Sequence, residues 1–483
     1  MPDPIVFGTD GWRAVIADQF TFDNVRRVAD AVAVAARTLQ PPAGIDTNAL
    51  LVGYDRRFLS REFAGVVTEC LRRAGYRVLL SDRPTPSQTI SFTALHRKLL
   101  GGVMVTASHN PARYNGIKFK AWYGGSALPE TYNAIAASLD QSAARDGGTV
   151  EETNILDDYL AAIAAQLDLD LLKSAKLAIL HDPMHGVAAS LPSKILGIDY
   201  LGAQRILEGD RSALQTTIVD GIRGDVNPGF GGVNPEPIPE NLVASKDVMT
   251  GGRYDLAICN DGDADRLGIL DERGTFVSPH KIISLLVLYL VREKRLSGEI
   301  VKTFSTTRLI EKIATALGAT LHETPIGFKY VADLMLTRNV LVGGEESGGI
   351  GFGAFMPERD GIFSGLLVAE AVAHYKRPLS QVIAAMEAEF GELHYDRRDL
   401  TRPMPQCARL IDRVRSGELD SAFVPGFTKR EEKDGVKMNF ADGSWILFRK
   451  SGTEPIIRIY CESPDRDRVQ DMLGRAVSAL DQS

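Results

Sequence analysis

An α/β fold class is predicted by three observations. Short apolar runs alternate with helix-period segments from residue 22 to about 385, this alternation restarts near residues 176 and 300, and after about residue 388 the rhythm changes. Strands alternating with helices argue for largely parallel sheets covered by helices. Residues 22–39 carry Val25, Val28, Ala29, Val32 and Ala35 on one stripe and read as an amphipathic helix. A strand over 50–54, a helix over 60–74 and a strand over 76–80 follow. The second unit restarts at a strand over 176–180 with a helix before it, and the third at a strand over 300–304 followed by a helix to about 317. Residues 221–240 are Gly- and Pro-rich without periodicity and read as an ordered loop or lid hinge. The stretch 437–462 contains two strand runs, and 466–480 reads as a terminal helix, so the last unit is a smaller α+β one. These breaks divide the chain into 1–150, 151–275, 276–388 and 389–483.

Composition narrows the function classes. A length of 483 residues implies three or four domains. A net charge of −7 argues against general nucleic-acid binding, although a local pocket on an acidic protein can still be positive. Cys70, Cys259, Cys407 and Cys461 are far apart and signal neither a disulfide framework nor a thiolate zinc site. The apolar run over 282–291 is far short of the roughly 20 residues that span a bilayer, and the N-terminus lacks the pattern of a signal peptide. A cytoplasmic protein without membrane association is expected.

Four apolar runs each empty into a polar loop. After 102–105 comes TASHNP, 106–111, where Ser108 stands past a strand end, the place where α/β sheets present reactive groups. His109 is its neighbour in sequence and need not face it, so a positioning role is expected rather than that of a base. After 256–259 comes DGDADR, 261–266. Read as an extended loop, it points Asp261, Asp263 and Asp265 to one side. Like charges ~4 Å apart repel by roughly 4 kcal/mol at an effective dielectric near 20, so three carboxylates call for a cation, and Mg²⁺ suits hard oxygen ligands. Arg266 then stands beside the metal, ready for a phosphate oxygen. An EF-hand shares the alternating Asp pattern but wants Gly at the sixth position and helices on both sides. A haloacid-dehalogenase-type phosphatase, with Asp261 as nucleophile, is a rival reading of this loop alone.

After 340–342 comes GEESGG, 344–349, whose acceptors suit sugar hydroxyls and repel phosphate. After 445–448 comes RKSGT, 449–453, with two cations, two hydroxyls and a Gly that frees backbone N–H groups for an anion. Arg458 on the following strand adds a second guanidinium, whose planar fork binds phosphate bidentately. A further Gly-framed loop, 8–13, ends in Arg13. Lys118 and Lys120 share one strand face; one of them suits acid/base work if the site lowers its pKa, and an ordinary solvated face is the default for Lys120. From the residues alone these loops point to Mg²⁺-dependent phosphoryl transfer on a phosphorylated sugar or polyol.

In combination the loops resemble those of the α-D-phosphohexomutase superfamily: phosphoglucomutase, phosphomannomutase and phosphoglucosamine mutase. The resemblance spans essentially the whole chain, and TASHNP with DGDADR at this separation is its most specific part. It implies four domains around a central cleft, three mixed α/β and the fourth α+β. It also implies that Ser108 is a phosphoserine that binds Mg²⁺ through its phosphate together with Asp261, Asp263 and Asp265. Lys118, the expected acid/base, and Arg13 match positions near the phosphoserine. Glu345 and Ser347 match the grip on sugar hydroxyls, Arg449, Ser451, Gly452 and Thr453 the loop for the non-reacting phosphate, and Lys302 and Lys329 further substrate contacts. The implied reaction interconverts hexose 1-phosphate and hexose 6-phosphate through a hexose 1,6-bisphosphate, which also serves as activator, in a monomer or homodimer. Gly349 stands where many relatives place His, and Glu346 where the glucosamine branch places Gln. The loop therefore resembles glucose-type mutases, with mannose phosphate second and glucosamine phosphate third. A sugar-phosphate binding protein without turnover is the non-enzyme rival.

Overall fold

The computed structural model of the protein describes residues 5–8, 10–145, 147–202, 214–423, 426–450 and 455–481. Four sheets follow one another along the chain. The first is built from β1 (Trp12–Val15), β2 (Asp46–Tyr54), β3 (Arg77–Ser81), β4 (Leu99–Val105), β5 (Tyr114–Ala121), β6 (Gly125–Ser126) and β7 (Thr149–Thr153), in the order β1-β5-β4-β2-β3-β7 with β6 on β5. Strands β4, β2, β3 and β7 are parallel, and β5 and β1 close one edge antiparallel. Since β7 continues this sheet, the first unit extends three residues past position 150.

The second sheet holds β8 (Ala178–Asp182), β9 (Tyr200–Gly202), β10 (Ile218–Gly221), β11 (Leu256–Asn260), β12 (Leu267–Asp271) and β13 (Phe276–Val277), in the order β13-β12-β11-β8-β10-β9. The third holds β14 (Glu299–Thr303), β15 (Leu321–Thr324), β16 (Val340–Gly344) and β17 (Ile350–Gly351). Both repeat the plan of the first, a parallel centre with an antiparallel edge. Their central strands are buried along their length and read as continuous apolar runs, as strands covered on both faces must. The fourth sheet, β18 (His394–Thr401), β19 (Phe427–Glu432), β20 (Val436–Phe440), β21 (Trp445–Lys450) and β22 (Ile456–Ser463), is wholly antiparallel. The terminal helix Arg466–Asp481 packs on it.

The amphipathic helix near the start runs Phe22–Ala36, capped by the Thr21 side chain. One apolar core joins the helices around the second and third sheets, and the first and fourth sheets have cores of their own. All four cysteines are free and buried. No helix among the described residues is long and apolar enough to cross a membrane.

Candidate active site

Strand β4 delivers its chain into the loop that carries Ser108. Thr106 donates its hydroxyl to Asp55 (2.6 Å) and accepts the Ser108 amide (2.9 Å), which turns the backbone at once. Ser108 itself has φ 56°, in the left-handed region that non-glycine residues rarely enter, so its surroundings impose the conformation. Arg57 supplies the constraint: its guanidinium donates to the carbonyls of Ser108 (2.6 Å), Asn110 (2.7 Å), Pro111 (3.0 Å) and Tyr114 (3.1 Å) and pairs with Asp55 at 3.1 Å. Arg13, from β1, holds the same loop through Asn110 Oδ1 at 2.9 Å. Sequence reasoning passed over Arg57; its sign was the charged run 55–57 directly after an apolar strand.

Facing this loop is the turn between β11 and β12. Asp261, Asp263 and Asp265 are fully buried, and one oxygen of each lies within 4.8 Å of the others. The turn is tight rather than extended, with the Ala264 amide on the Asp261 carbonyl and Ala264 at φ 65°. The expected alternation is therefore not what aligns the carboxylates; the turn folds them together. Flanking strands, not helices, exclude the EF-hand reading. Asp261 Oδ2 accepts the Ser108 hydroxyl at 2.9 Å, and Asp261 Oδ1 accepts the Arg266 amide. Asp263 Oδ2 accepts from Ser87 (2.5 Å) and Lys118 (2.9 Å), and Asp265 Oδ2 from Arg359 (2.6 Å). The second oxygens of Asp263 and Asp265 are buried with no hydrogen-bond partner among the described residues. Buried carboxylate oxygens left open in this way fit a hard divalent cation. Burial and the neighbouring carboxylates push the Asp261 pKa well up. Burial also pushes the Asp263 pKa up, but the Lys118 charge and the hydrogen bonds from Ser87 and Lys118 together outweigh it, and its pKa falls.

Lys118 projects from β5 into the nest, with Nζ 2.9 Å from Asp263, 3.2 Å from Asp10 and 3.5 Å from Asp265. Burial alone lowers a lysine pKa, yet these three carboxylates overcome it and raise it. On the sequence, acid/base work is conditional on a lowered pKa, and here the pKa is raised instead: the side chain stands as a firmly held ammonium. Lys120 is not on a solvated face either. Both faces of β5 are covered, and Lys120 is buried against Glu358 (2.6 Å) and Ser126 (2.7 Å). His109 does face Ser108, with Nδ1 3.4 Å from Oγ. Burial, with Arg266 and Arg13 nearby, holds its pKa well below the usual value, so the ring is neutral near pH 7. Arg266 points its guanidinium to Glu236 at 3.0 Å, in the 221–240 loop, which also accepts the Gly262 amide through the Pro235 carbonyl.

The 344–349 loop is a hairpin turn between β16 and β17. Glu345 donates its amide to the Gly349 carbonyl (2.9 Å), and Gly348 (φ 85°) lies so close to Leu267 that a Cβ there would stand 2.4 Å from its carbonyl oxygen. Glu345 is buried, which raises its pKa against the pull of Arg359. Ser347 occupies the same turn, and Glu346 pairs with Arg397 of β18 at 3.2 Å.

The remaining cations stand on the third and fourth sheets and the helix Phe328–Thr337. Lys302, buried at the end of β14, pairs with Glu311 (2.5 Å) and Glu323 (3.2 Å). Lys329 lies over the Tyr330 ring at 5.0 Å. Arg449 pairs with Asp434 at 3.0 Å and stands across from Arg458, which pairs with Asp399 at 3.3 Å. Ser451, Gly452 and Thr453 lie outside the described residues. The structure thus brings Ser108, His109, Lys118 and the three aspartates into one cluster, with Arg13 on its loop and Glu345 joined through Arg359. Lys302 and Arg449 belong to a second cluster around Glu323 and Asp434. Ser87 and Arg359 escaped the sequence reading, each being far along the chain from the aspartate it serves.

Profiles for the phosphoglucomutase/phosphomannomutase family match in chain order: alpha/beta/alpha domain I over residues 4–146, domain II over 157–274, domain III over 278–390 and the C-terminal domain over 401–478. A phosphoglucomutase/phosphomannomutase of Thermococcus kodakarensis is 28% identical over 487 residues, covering 99% of each chain. A phosphoglucosamine mutase of Cereibacter sphaeroides is 29% identical over 486 residues, covering 98% of each. The crystal structure of a Thermus thermophilus protein described as a phosphomannomutase superposes with a TM-score of 0.84 at 34% identity and full coverage of both chains. A serine held against a buried carboxylate nest, on a chain matched along its whole length by these relatives, places the protein in the phosphoglucomutase/phosphomannomutase family of the α-D-phosphohexomutase superfamily, whose members are phosphohexose mutases.

Proposed function

We propose that this mutase interconverts hexose 1-phosphate and hexose 6-phosphate, with glucose favoured and mannose accepted, through a phosphorylated Ser108 and a hexose 1,6-bisphosphate. The observation that carries the proposal is the Ser108 hydroxyl, 2.9 Å from Asp261 at the edge of the three-carboxylate nest. The bond from phosphorus to Ser108 Oγ breaks as the free sugar hydroxyl bonds to phosphorus, and the proton of that hydroxyl ends on Ser108 Oγ. The regenerated serine hydroxyl receives the second phosphoryl group, giving its proton back to the sugar oxygen, once the bisphosphate has turned round. Phosphoserine carries about −1.5 to −2 charges. Asp261, Asp263 and Asp265 are the residues to hold a Mg²⁺ ion, which when bound offsets that charge. Lys118 keeps a proton next to the reacting oxygens, Arg13 and His109 keep the loop in place, and Arg266 meets phosphoryl oxygens. Glu345 and Ser347 accept the sugar hydroxyls. Lys302 and Lys329 make further substrate contacts, and Arg449 and Arg458, with the loop 451–453, receive the non-reacting phosphate.

The same reading assigns one domain to each of 1–150, 151–275, 276–388 and 389–483, with the first two boundaries moved a few residues on by β7 and β13, and takes the protein as a cytoplasmic monomer or homodimer activated by the bisphosphate. Glucose is favoured by Gly349 and Glu346 in the sugar loop; the similarity to phosphoglucosamine mutases makes glucosamine phosphate the competitor. Glucose, mannose and glucosamine 1-phosphates assayed side by side with a bisphosphate activator test the sugar, and the assignment to glucose is lost if glucosamine phosphate turns over fastest. Ser108→Ala is expected to reduce turnover by roughly 10⁴-fold or more and to abolish phosphate on the peptide containing Ser108. Normal turnover in that variant, or an alkali-labile acyl phosphate on Asp261, would falsify the serine mechanism.

A further inference from the structure

Arg359 touches several loops of the site at once and has no place in the reaction described above. Its Nη2 donates to Asp265 Oδ2 at 2.6 Å and reaches Asp10 Oδ2 at 3.5 Å. Its Nη1 lies 3.5 Å from Glu345 Oε2, and the guanidinium stands 5.7 Å over the Phe328 ring, beside Lys329. The side chain is 12% exposed, and Nε is buried with no partner among the described residues. Its stem reaches this position across Gly349, where a Cβ would stand 2.3 Å from Arg359 Cδ. Gly349 is not in the left-handed region, so its backbone conformation does not demand glycine; the passage of the arginine does.

We propose that Arg359, admitted by Gly349, is a positioning residue that divides one guanidinium between the carboxylate nest and the sugar loop, weakening the hold of the nest on a divalent cation while fixing the Glu345 carboxylate for the sugar hydroxyls. The sugar-loop half rests on the reading of Glu345 given above. Two features of the geometry support the division. A positive charge 2.6 Å from Asp265 repels any cation that enters the nest, so it opposes metal binding even though the other Asp265 oxygen remains open. A planar fork carries its donors on separate nitrogens, and here Nη2 reaches Asp265 while Nη1 reaches Glu345, a span that the point charge of a lysine does not reproduce.

Opposite signs distinguish this role from simple support of the fold. Mn²⁺ binding, followed by electron paramagnetic resonance without substrate, and steady-state kinetics on hexose phosphate are measured for Arg359→Met, Arg359→Lys and Gly349→Ala. Arg359→Met is expected to bind Mn²⁺ about tenfold more tightly while KM for hexose phosphate rises about tenfold and kcat changes less, shifts typical of one charged hydrogen bond. Gly349→Ala removes no charged group, yet by displacing the stem it should move both constants in the same two directions. Arg359→Lys retains the charge, so Mn²⁺ affinity stays near wild type while KM rises. Mn²⁺ affinity and substrate affinity falling together in Arg359→Met and Gly349→Ala, or neither moving, overturns the proposal. Wild-type protein without hexose phosphate turnover would overturn the functional reading instead, and the Mn²⁺ shift would still decide whether Arg359 opposes the metal.

Discussion

Arg57 directs its guanidinium at four backbone carbonyls of the loop that carries Ser108, and its charge is balanced by Asp55, which is as completely buried as the arginine. Desolvating such a pair is costly, and the pair persists because nearly every donor finds an acceptor. Deleting one member leaves the other charge and the carbonyls without partners, so Arg57→Met is expected to lose about 3–5 kcal/mol of stability. Arg57→Lys keeps the charge but not the fork. It should fold, with turnover lowered by about one to two orders of magnitude and KM nearly unchanged, since the misplaced atom is the Ser108 oxygen rather than a substrate contact. Thermal unfolding and steady-state kinetics check both, and a lysine variant with wild-type turnover would remove Arg57 from the positioning of Ser108. At this scale the sequence is legible where residue type and loop position coincide, as for Ser108 and the three aspartates. It is silent about Ser87 and Arg359, which stand 176 and 94 residues from Asp263 and Asp265, because no local pattern encodes a contact at that separation. The reversal at Lys118 has the same origin: its pKa depends on carboxylates from two other loops.

Elements whose two faces differ announce themselves, and those without such a contrast do not. The helix Phe22–Ala36 and the central parallel strands are readable from stripe and apolar run. The helix Ser87–His96 is buried over nearly its whole length and carries no stripe, although it supplies Ser87 to the nest. Strands β18 and β19 are half-buried to exposed and rich in charge, HYDRRDLT and FTKREE, so the fourth sheet shows only two strand runs in sequence where five strands exist. Turns impose their own demands. Gly262, between two of the nest carboxylates, packs so closely on the Ser108 loop that a Cβ would lie 2.6 Å from the Ser108 carbonyl oxygen. Gly262→Ala must therefore move the turn and the Ser108 loop apart. It should lower turnover by about 10²-fold, as roughly 1 Å of misplacement can, while the far-ultraviolet spectrum stays native. Unchanged turnover would show that the two loops are not held to this spacing.

The fourth sheet is fastened to the third by charge as well as by packing. Glu323, at the end of β15, meets three ammonium groups: Lys302 of the third sheet at 3.2 Å, and Lys433 and Lys437 of the β19–β20 hairpin at 3.2 and 3.5 Å. Lys437 also lies 3.9 Å over the Phe304 ring. Burial, with Lys302 close by, pulls its pKa down to about 8. In the same hairpin Asp434 accepts the Ile326 amide at 3.1 Å and pairs with Arg449 at 3.0 Å, so whatever seats the hairpin also seats the arginine assigned to the non-reacting phosphate. Glu323→Gln takes away the carboxylate that pairs with all three lysines. Removing one partner from a largely buried ionic group costs about 3 kcal/mol, enough to shift the balance between docked and released forms of the fourth sheet by roughly a hundredfold. The variant is expected to show a larger radius of gyration by X-ray scattering and faster proteolysis between the helix Leu379–Phe390 and β18. KM for hexose phosphate should rise while kcat at saturation is mostly kept, because under the proposed assignment of Lys302 and Arg449 to substrate the bound sugar phosphate bridges the two units and restores the docked form. If scattering, proteolysis and KM all match the wild type, packing around Phe304 and Trp445 holds the fourth sheet by itself, and Glu323 has no part in closing the cleft.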